Sequence, residues 1–159
     1  MIKGSFLCGK TSAMDMHEGT SIIFVRSNND EPEVLLFLRD ERDDIPYPNC
    51  WDILGGHVET GETPEECIVR EMKEEIEYDI GTPELFRIYR MNDRIEYTYW
   101  QPFNLEIEDI KLNEGQALRW FTEKDIRNMK EEDFSFGFRE VLFDFFHDYP
   151  FAKEPGNGN

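Results

Sequence analysis

The sequence is poor in positive charge. Seventeen lysines and arginines stand against 35 aspartates and glutamates in 159 residues, a net charge of −18 with histidine neutral. Nucleic-acid polymers are bound mainly by cationic side chains that neutralise phosphates, so this balance argues against such a ligand. It disfavours anionic membranes in the same way. A small anionic substrate stays compatible with the charge, provided metal ions offset the repulsion. Cysteine and histidine are scarce, three of each. Cys8, Cys50 and Cys67 are odd in number and lack metal-type spacing, which suits a reducing, cytoplasmic setting and a buried, inert Cys67. His17 has no partner spaced to share an ion with it. No long apolar run is present, so the sequence suggests neither a signal peptide nor a membrane span. No segment repeats.

What is there suits one domain with a real core: 39% of residues are hydrophobic and 14% aromatic. Residues 1–18 give no readable period, although Ile2, Phe6 and Leu7 could join a strand. Residues 19–150 carry the organised pattern, and 151–159 read as a disordered tail rich in glycine and asparagine. Thr20 to Arg26 and Glu33 to Arg39 read as paired strands around the turn residues Asn28 to Pro32. A polar loop, Asp40 to Asn49, leads to Trp51, whose large ring suits packing more than stacking on a base. Leu85 to Met91 and Ile95 to Leu105 form a second strand pair, the latter alternating Ile95, Tyr97 and Tyr99 with Glu96, Thr98 and Trp100. Ala117 to Phe121 is a further strand. Thr122 with Asp125 opens a helix to about Met129, and Phe138 to His147 forms the last one, with Val141, Leu142, Phe145 and Phe146 as its core stripe.

One stretch, Gly55 to Tyr78, carries the chemistry. Thr63 is placed to cap a helix, Pro64 suits its first position, and Glu66 completes a capping box with Thr63. Nothing breaks the run from Glu65 to Ile80, which predicts about four helical turns. Cys67, Ile68, Met72 and Ile76 share a core face. Glu71, Glu74 and Glu75 share another, at spacings of three and four. Like charges so placed destabilise a bare helix, and a divalent cation would reverse that sign. A solvated acidic face is the simpler account of three glutamates taken by themselves.

They belong to a longer pattern. Gly56 is followed after five residues by Glu62, and after seven more by Arg70-Glu71-Met72-Lys73-Glu74-Glu75. This resembles the Nudix box, and every charged position of that signature is present. Two positions depart from it. Glu77 stands where the family has a helix-ending glycine, so the helix either strains there or runs on to Gly81. Leu54 replaces a common proline before the glycine pair.

The resemblance implies a Nudix-type α/β/α sandwich around a mixed sheet. It implies hydrolysis of a nucleoside diphosphate linked to another group, such as a nucleoside triphosphate or nucleotide sugar. It also implies magnesium, with manganese as an alternative, held by Glu71, Glu74, Glu75 and the Gly55 carbonyl. Arg70 would orient a box glutamate, and Glu62 would support it or bind metal through water. Arg39 ends its strand where the family often carries arginine. Read alone it is either a surface cation or a phosphate contact. Glu114-Gly115-Gln116, followed by Trp120, is similar to a loop of the branch that cleaves oxidised dGTP. There the glutamate reaches the metals and can act as general base, a role that Glu114 or Glu74 would take here, ahead of Glu106 and Glu108. That branch reads its base with an asparagine where Phe134 to Phe138 place phenylalanine. A non-catalytic nucleotide-binding module is the alternative, a structural protein with an acidic helix the third reading, and a homodimer is common in the family.

Overall fold

The computed structural model describes residues 16–149. The sequence readings for Ile2, Phe6, Leu7, Cys8 and the tail 151–159 lie outside them. Strands β1 (His17–Asn28) and β2 (Glu31–Leu38) form the first hairpin. Its turn is tighter than the sequence suggested. Only Asn29 and Asp30 separate the strands, with φ of 54° and 66°. This two-residue geometry matches the strand twist, and asparagine and aspartate tolerate it.

β1 and β2 pair from Val25 opposite Val34 to the turn. Upstream they part, and two short strands fill the opening. β3 (Trp51–Asp52) pairs with β2, and β4 (Leu54–His57) pairs with β1 through Ser21 opposite Gly55. Beyond β1, β6 (Arg94–Pro102) runs parallel to it, and β5 (Glu84–Arg90) is antiparallel to β6. β7 (Ala117–Thr122) pairs antiparallel with β2. The result among the described residues is one mixed sheet of seven strands.

Each central strand is apolar on both faces because both are covered. Ile22, Phe24, Leu35 and Phe37 point to one side, where they meet Ile68, Met72 and Ile76 of α1 (Pro64–Ile76). Ile23, Val25, Val34 and Leu36 point to the other, against Ile126 of α2 (Glu123–Arg127) and Val141, Leu142, Phe145 and Phe146 of α3 (Phe138–Asp148). The sheet is thus sandwiched between helices. No helix of the described residues is long and apolar enough to cross a membrane.

Two sequence readings change. α1 ends at Ile76 rather than continuing to Ile80, because Glu77 takes the left-handed conformation at φ 53°, ψ 41°. In β6 the alternation is real, but Arg94, Glu96 and Thr98 are buried, as Tyr99 is, while Ile95 and Tyr97 are half-buried. Partners explain the inversion: Arg94 donates to Glu96 at 2.7 Å, and the Ser21 and Thr98 hydroxyls bond at 3.0 Å.

Candidate active site

The gap between β1 and β2 brings a glycine corner against the N-terminal half of α1. Gly55 crosses β1 so closely that a β-carbon there would run into the Thr20 carbonyl oxygen. Gly56 does something different. A β-carbon on it would overlap the Glu71 carboxylate, so this glycine makes the space in which Glu71 lies against the loop backbone.

The start of α1 forms as its sequence directs. The Thr63 hydroxyl accepts from the Glu66 N–H at 3.1 Å, and the Glu66 carboxylate accepts from the Thr63 N–H at 3.0 Å. The helix then delivers Arg70 to the loop. Its guanidinium donates to both carboxylate oxygens of Glu62, at 2.6 and 3.0 Å, to Glu71 at 3.0 Å, to Glu74 at 3.3 Å and to the His57 carbonyl at 3.2 Å. Glu62 also accepts from the Glu59 N–H at 2.9 Å. The Arg70 bond, first, and the backbone bond hold the Glu62 carboxyl at about 2. Arg70 therefore ties the loop to two helix acids, and its donors are engaged within the protein.

Glu75 is the unusual member. It is buried, and its Oε1 has no hydrogen-bond partner. Burial pushes its carboxyl well above the ordinary range, reinforced by a hydrogen bond to Glu71 and by the charges of Glu71, Glu114 and Asp52. An orphaned, desolvated carboxylate oxygen beside a second carboxylate is costly without a cation and fits a hard one. Glu74 points outward to Arg70 and is largely exposed. As they stand, no three acidic, histidine or cysteine side chains among the described residues form a closed cluster of ligands. The structure brings Glu71 and Glu75 together at the glycine corner, and Glu74 flanks them.

The other expected residues lie around this pair. Arg39 donates to Asp52 at 2.9 Å and to the carbonyls of Pro46 and Tyr47 at 3.0 and 3.2 Å, and its guanidinium lies 5.2 Å from the Phe136 ring. It braces the loop after β2 rather than reaching the glutamates. Asp52, buried behind it, is raised to about 6, by burial first. Glu114 is exposed on the loop before β7, within electrostatic reach of Glu75. Glu106 and Glu108, also exposed, lie at the short 3-10 turn Ile107–Asp109. Trp51 packs edge-on against Phe121, ring centres 4.9 Å apart, and Phe134 and Phe138 are buried. Cys67 is buried and raised to about 11, chiefly by burial, in keeping with an inert thiol.

Asp52, Asn113 and Gln116 were not singled out by sequence reasoning. Asn113 donates from its backbone to the Glu75 carbonyl and from its side chain to the Glu74 carbonyl, both at 2.8 Å. Gln116 donates to the Arg39 carbonyl and to Asn49 Oδ1, both at 2.7 Å. Gln116 stood within the Glu-Gly-Gln run, but which groups its amide meets depends on loops distant in sequence.

A sequence model described as the NUDIX domain matches residues 16–145. The chain is similar to putative nudix hydrolase 1 of Caenorhabditis elegans, 30% identical over 132 residues, covering 77% of this chain and 34% of that protein. It is similar to an ADP-ribose pyrophosphatase of Methanocaldococcus jannaschii, 41% identical over 54 residues, covering 34% of this chain and 32% of the other. An 8-oxo-dGTP diphosphatase of Escherichia coli is 32% identical over 75 residues, covering 47% of this chain and 50% of its own. The matches thus span between a third and a half of these relatives' lengths. Among solved structures, a MutT/nudix family protein from Enterococcus faecalis superposes with a TM-score of 0.67 at 18% identity, covering 83% of this chain and 61% of the other. The NUDIX domain of Shewanella oneidensis NrtR, complexed with ADP ribose, gives 0.62 at 14% identity, covering 82% and 85%.

Proposed function

The chain belongs to the Nudix family, and from that membership we propose that it hydrolyses the pyrophosphate link of a small nucleotide with the help of magnesium, or of manganese in its place. The observation that carries this reading is the buried Glu75 with its orphaned Oε1, set beside Glu71 at a corner that only glycines can form.

Glu71 and Glu75, with Glu74 and the Gly55 carbonyl, would hold the ion. Bound there, it would neutralise phosphate oxygens and lower the pKa of a nearby water. The protein's own groups do the rest. Arg70 orients Glu71 and Glu74 and keeps Glu62 ionised. Glu114, or Glu74, takes the proton of the attacking water. The water oxygen bonds to phosphorus, the bridging P–O bond breaks, and the products are a nucleoside monophosphate and the other half of the link, pyrophosphate from a nucleoside triphosphate or a sugar phosphate from a nucleotide sugar. Arg39, which braces the loop and bonds Asp52, would help seat the substrate.

The substrate class is a nucleoside triphosphate or a nucleotide sugar. Two relatives are named for ADP-ribose and for 8-oxo-dGTP. Phenylalanine in place of the base-reading asparagine weighs against oxidised purines. A panel of nucleoside triphosphates, nucleotide sugars and dinucleotides, assayed by release of nucleoside monophosphate with and without magnesium, tests the proposal. Turnover is expected for at least one class, with loss of about two orders of magnitude or more in E75Q and E74Q. Tight nucleotide binding with no turnover across the panel would favour a non-catalytic binding module instead.

A further inference from the structure

The end of α1 is held by an arrangement that its own sequence does not provide. The last carbonyls of a helix lack intrahelical donors. Here the N–H groups of Glu77 and Tyr78 both go to the Met72 carbonyl. The carbonyls of Glu74 and Glu75 are taken by Asn113, from a loop far along the chain, both at 2.8 Å. Glu77 is left-handed at φ 53°, a conformation that a β-carbon disfavours and glycine adopts freely. Its side chain compensates. The carboxylate accepts from Asn113 Nδ2 at 3.1 Å and meets Lys111 Nζ at 3.3 Å. The Asn113 bond, first, and Lys111 hold that carboxyl below its usual range.

The loop is pinned just as firmly on its other side. The Gln116 N–H donates to the Leu38 carbonyl at 2.8 Å, and its amide donates to Arg39 and Asn49 at 2.7 Å. Between the anchors, Gly115 has φ 96° and presses on β2, where a β-carbon would lie 2.6 Å from the Phe37 ring and 3.0 Å from the Leu38 carbonyl. Glu114 sits between Asn113 and Gly115, so its backbone has little freedom left.

We propose that Glu77 is a positioning residue: its carboxylate clamps Asn113 onto the end of α1 and so fixes Glu114 beside the helix acids. This inference rests on the hydrolase reading above and on its alternative in which Glu114, rather than Glu74, acts as the base. It assigns the left-handed glutamate a function that a glycine at the same position could not perform. Both contacts are exposed; the Lys111 pair adds little, and the bond from Asn113, whose amide also holds the Glu74 carbonyl, carries the effect.

The test uses E77G, E77Q and N113A in the full chain, alone and combined with E114Q. E77G is expected to lower kcat by roughly ten-fold while leaving KM within about two-fold, because a base is misplaced and not a binding contact. Its Tm is expected to stay level or rise, since the left-handed residue becomes glycine. E77Q, whose amide oxygen still accepts from Asn113, is expected to recover most of the lost kcat. In the E114Q background E77G should add no further loss. Wild-type kcat in E77G, or losses from E77G and E114Q that multiply independently, would overturn the proposal. Should the wild type turn over no nucleotide, the hydrolase reading fails, and the clamp is judged on amide hydrogen exchange at Gly115 and Gln116. Faster exchange in E77G supports it, and unchanged exchange overturns it.

Discussion

At the scale of single residues, Glu75 decides most. A buried carboxyl with an unpaired oxygen is unstable as an anion, and without metal its burial beside Glu71 raises its affinity for a proton. The sign of the stability effect follows. A carboxyl raised above its ordinary value of 4.5 contributes stability fully below that pH and loses it as the pH rises through the raised folded value. In EDTA, the melting temperature of the wild type is therefore expected to fall between mildly acidic and mildly alkaline pH. E75Q, neutral and nearly the same shape, should lack that fall and melt higher than the wild type at pH ~8. Thermal denaturation across pH checks this, and a wild type that gains stability with pH relative to E75Q would contradict it. Glu75 was legible in the sequence as one of three glutamates on a helix face. That it is the buried one while Glu74 faces Arg70 was not, because burial depends on where β3 and β4 fill the gap between β1 and β2.

At the scale of elements, α1 was readable at its start and left open at its end, between strain at Glu77 and a run on to Gly81. Thr63, Pro64 and Glu66 act through bonds within the first turn, so local spacing sufficed. Glu77 takes the strained conformation, at a cost of about 1 kcal/mol, and Asn113 arrives from elsewhere to take the last carbonyls, which a local pattern does not contain. β6 shows the same limit. Its alternation was plain, yet which side is buried depended on Arg94 finding Glu96, and Ser21 finding Thr98 across the strand pair. The glycine pair was visible too, but its two members do separate work: Gly55 lets β4 approach β1, and Gly56 makes room for Glu71. G56A is accordingly expected to displace the Glu71 carboxylate, lowering stability by about 1–3 kcal/mol through overpacking and removing nearly all turnover. Denaturant unfolding with an activity assay checks it; wild-type turnover in G56A would show that Glu71 has no role at this corner.

At the scale of the whole molecule, a strongly acidic chain has placed a buried carboxyl with an unpaired oxygen against a sheet covered by helices on both faces. The fold was legible because β1 and β2 are apolar on both sides and the helices carry single apolar stripes, patterns that demand a covered sheet. The central claim is that the Glu71–Glu75 pair is a seat for a divalent cation. Calorimetric titration of magnesium into wild type and E75Q at pH ~8, in two buffers of different ionisation heat, tests it most directly. The wild type is expected to bind with release of a proton, and E75Q to show no binding at the same concentrations. Equal binding by both proteins, or none by the wild type at millimolar magnesium, would contradict the account.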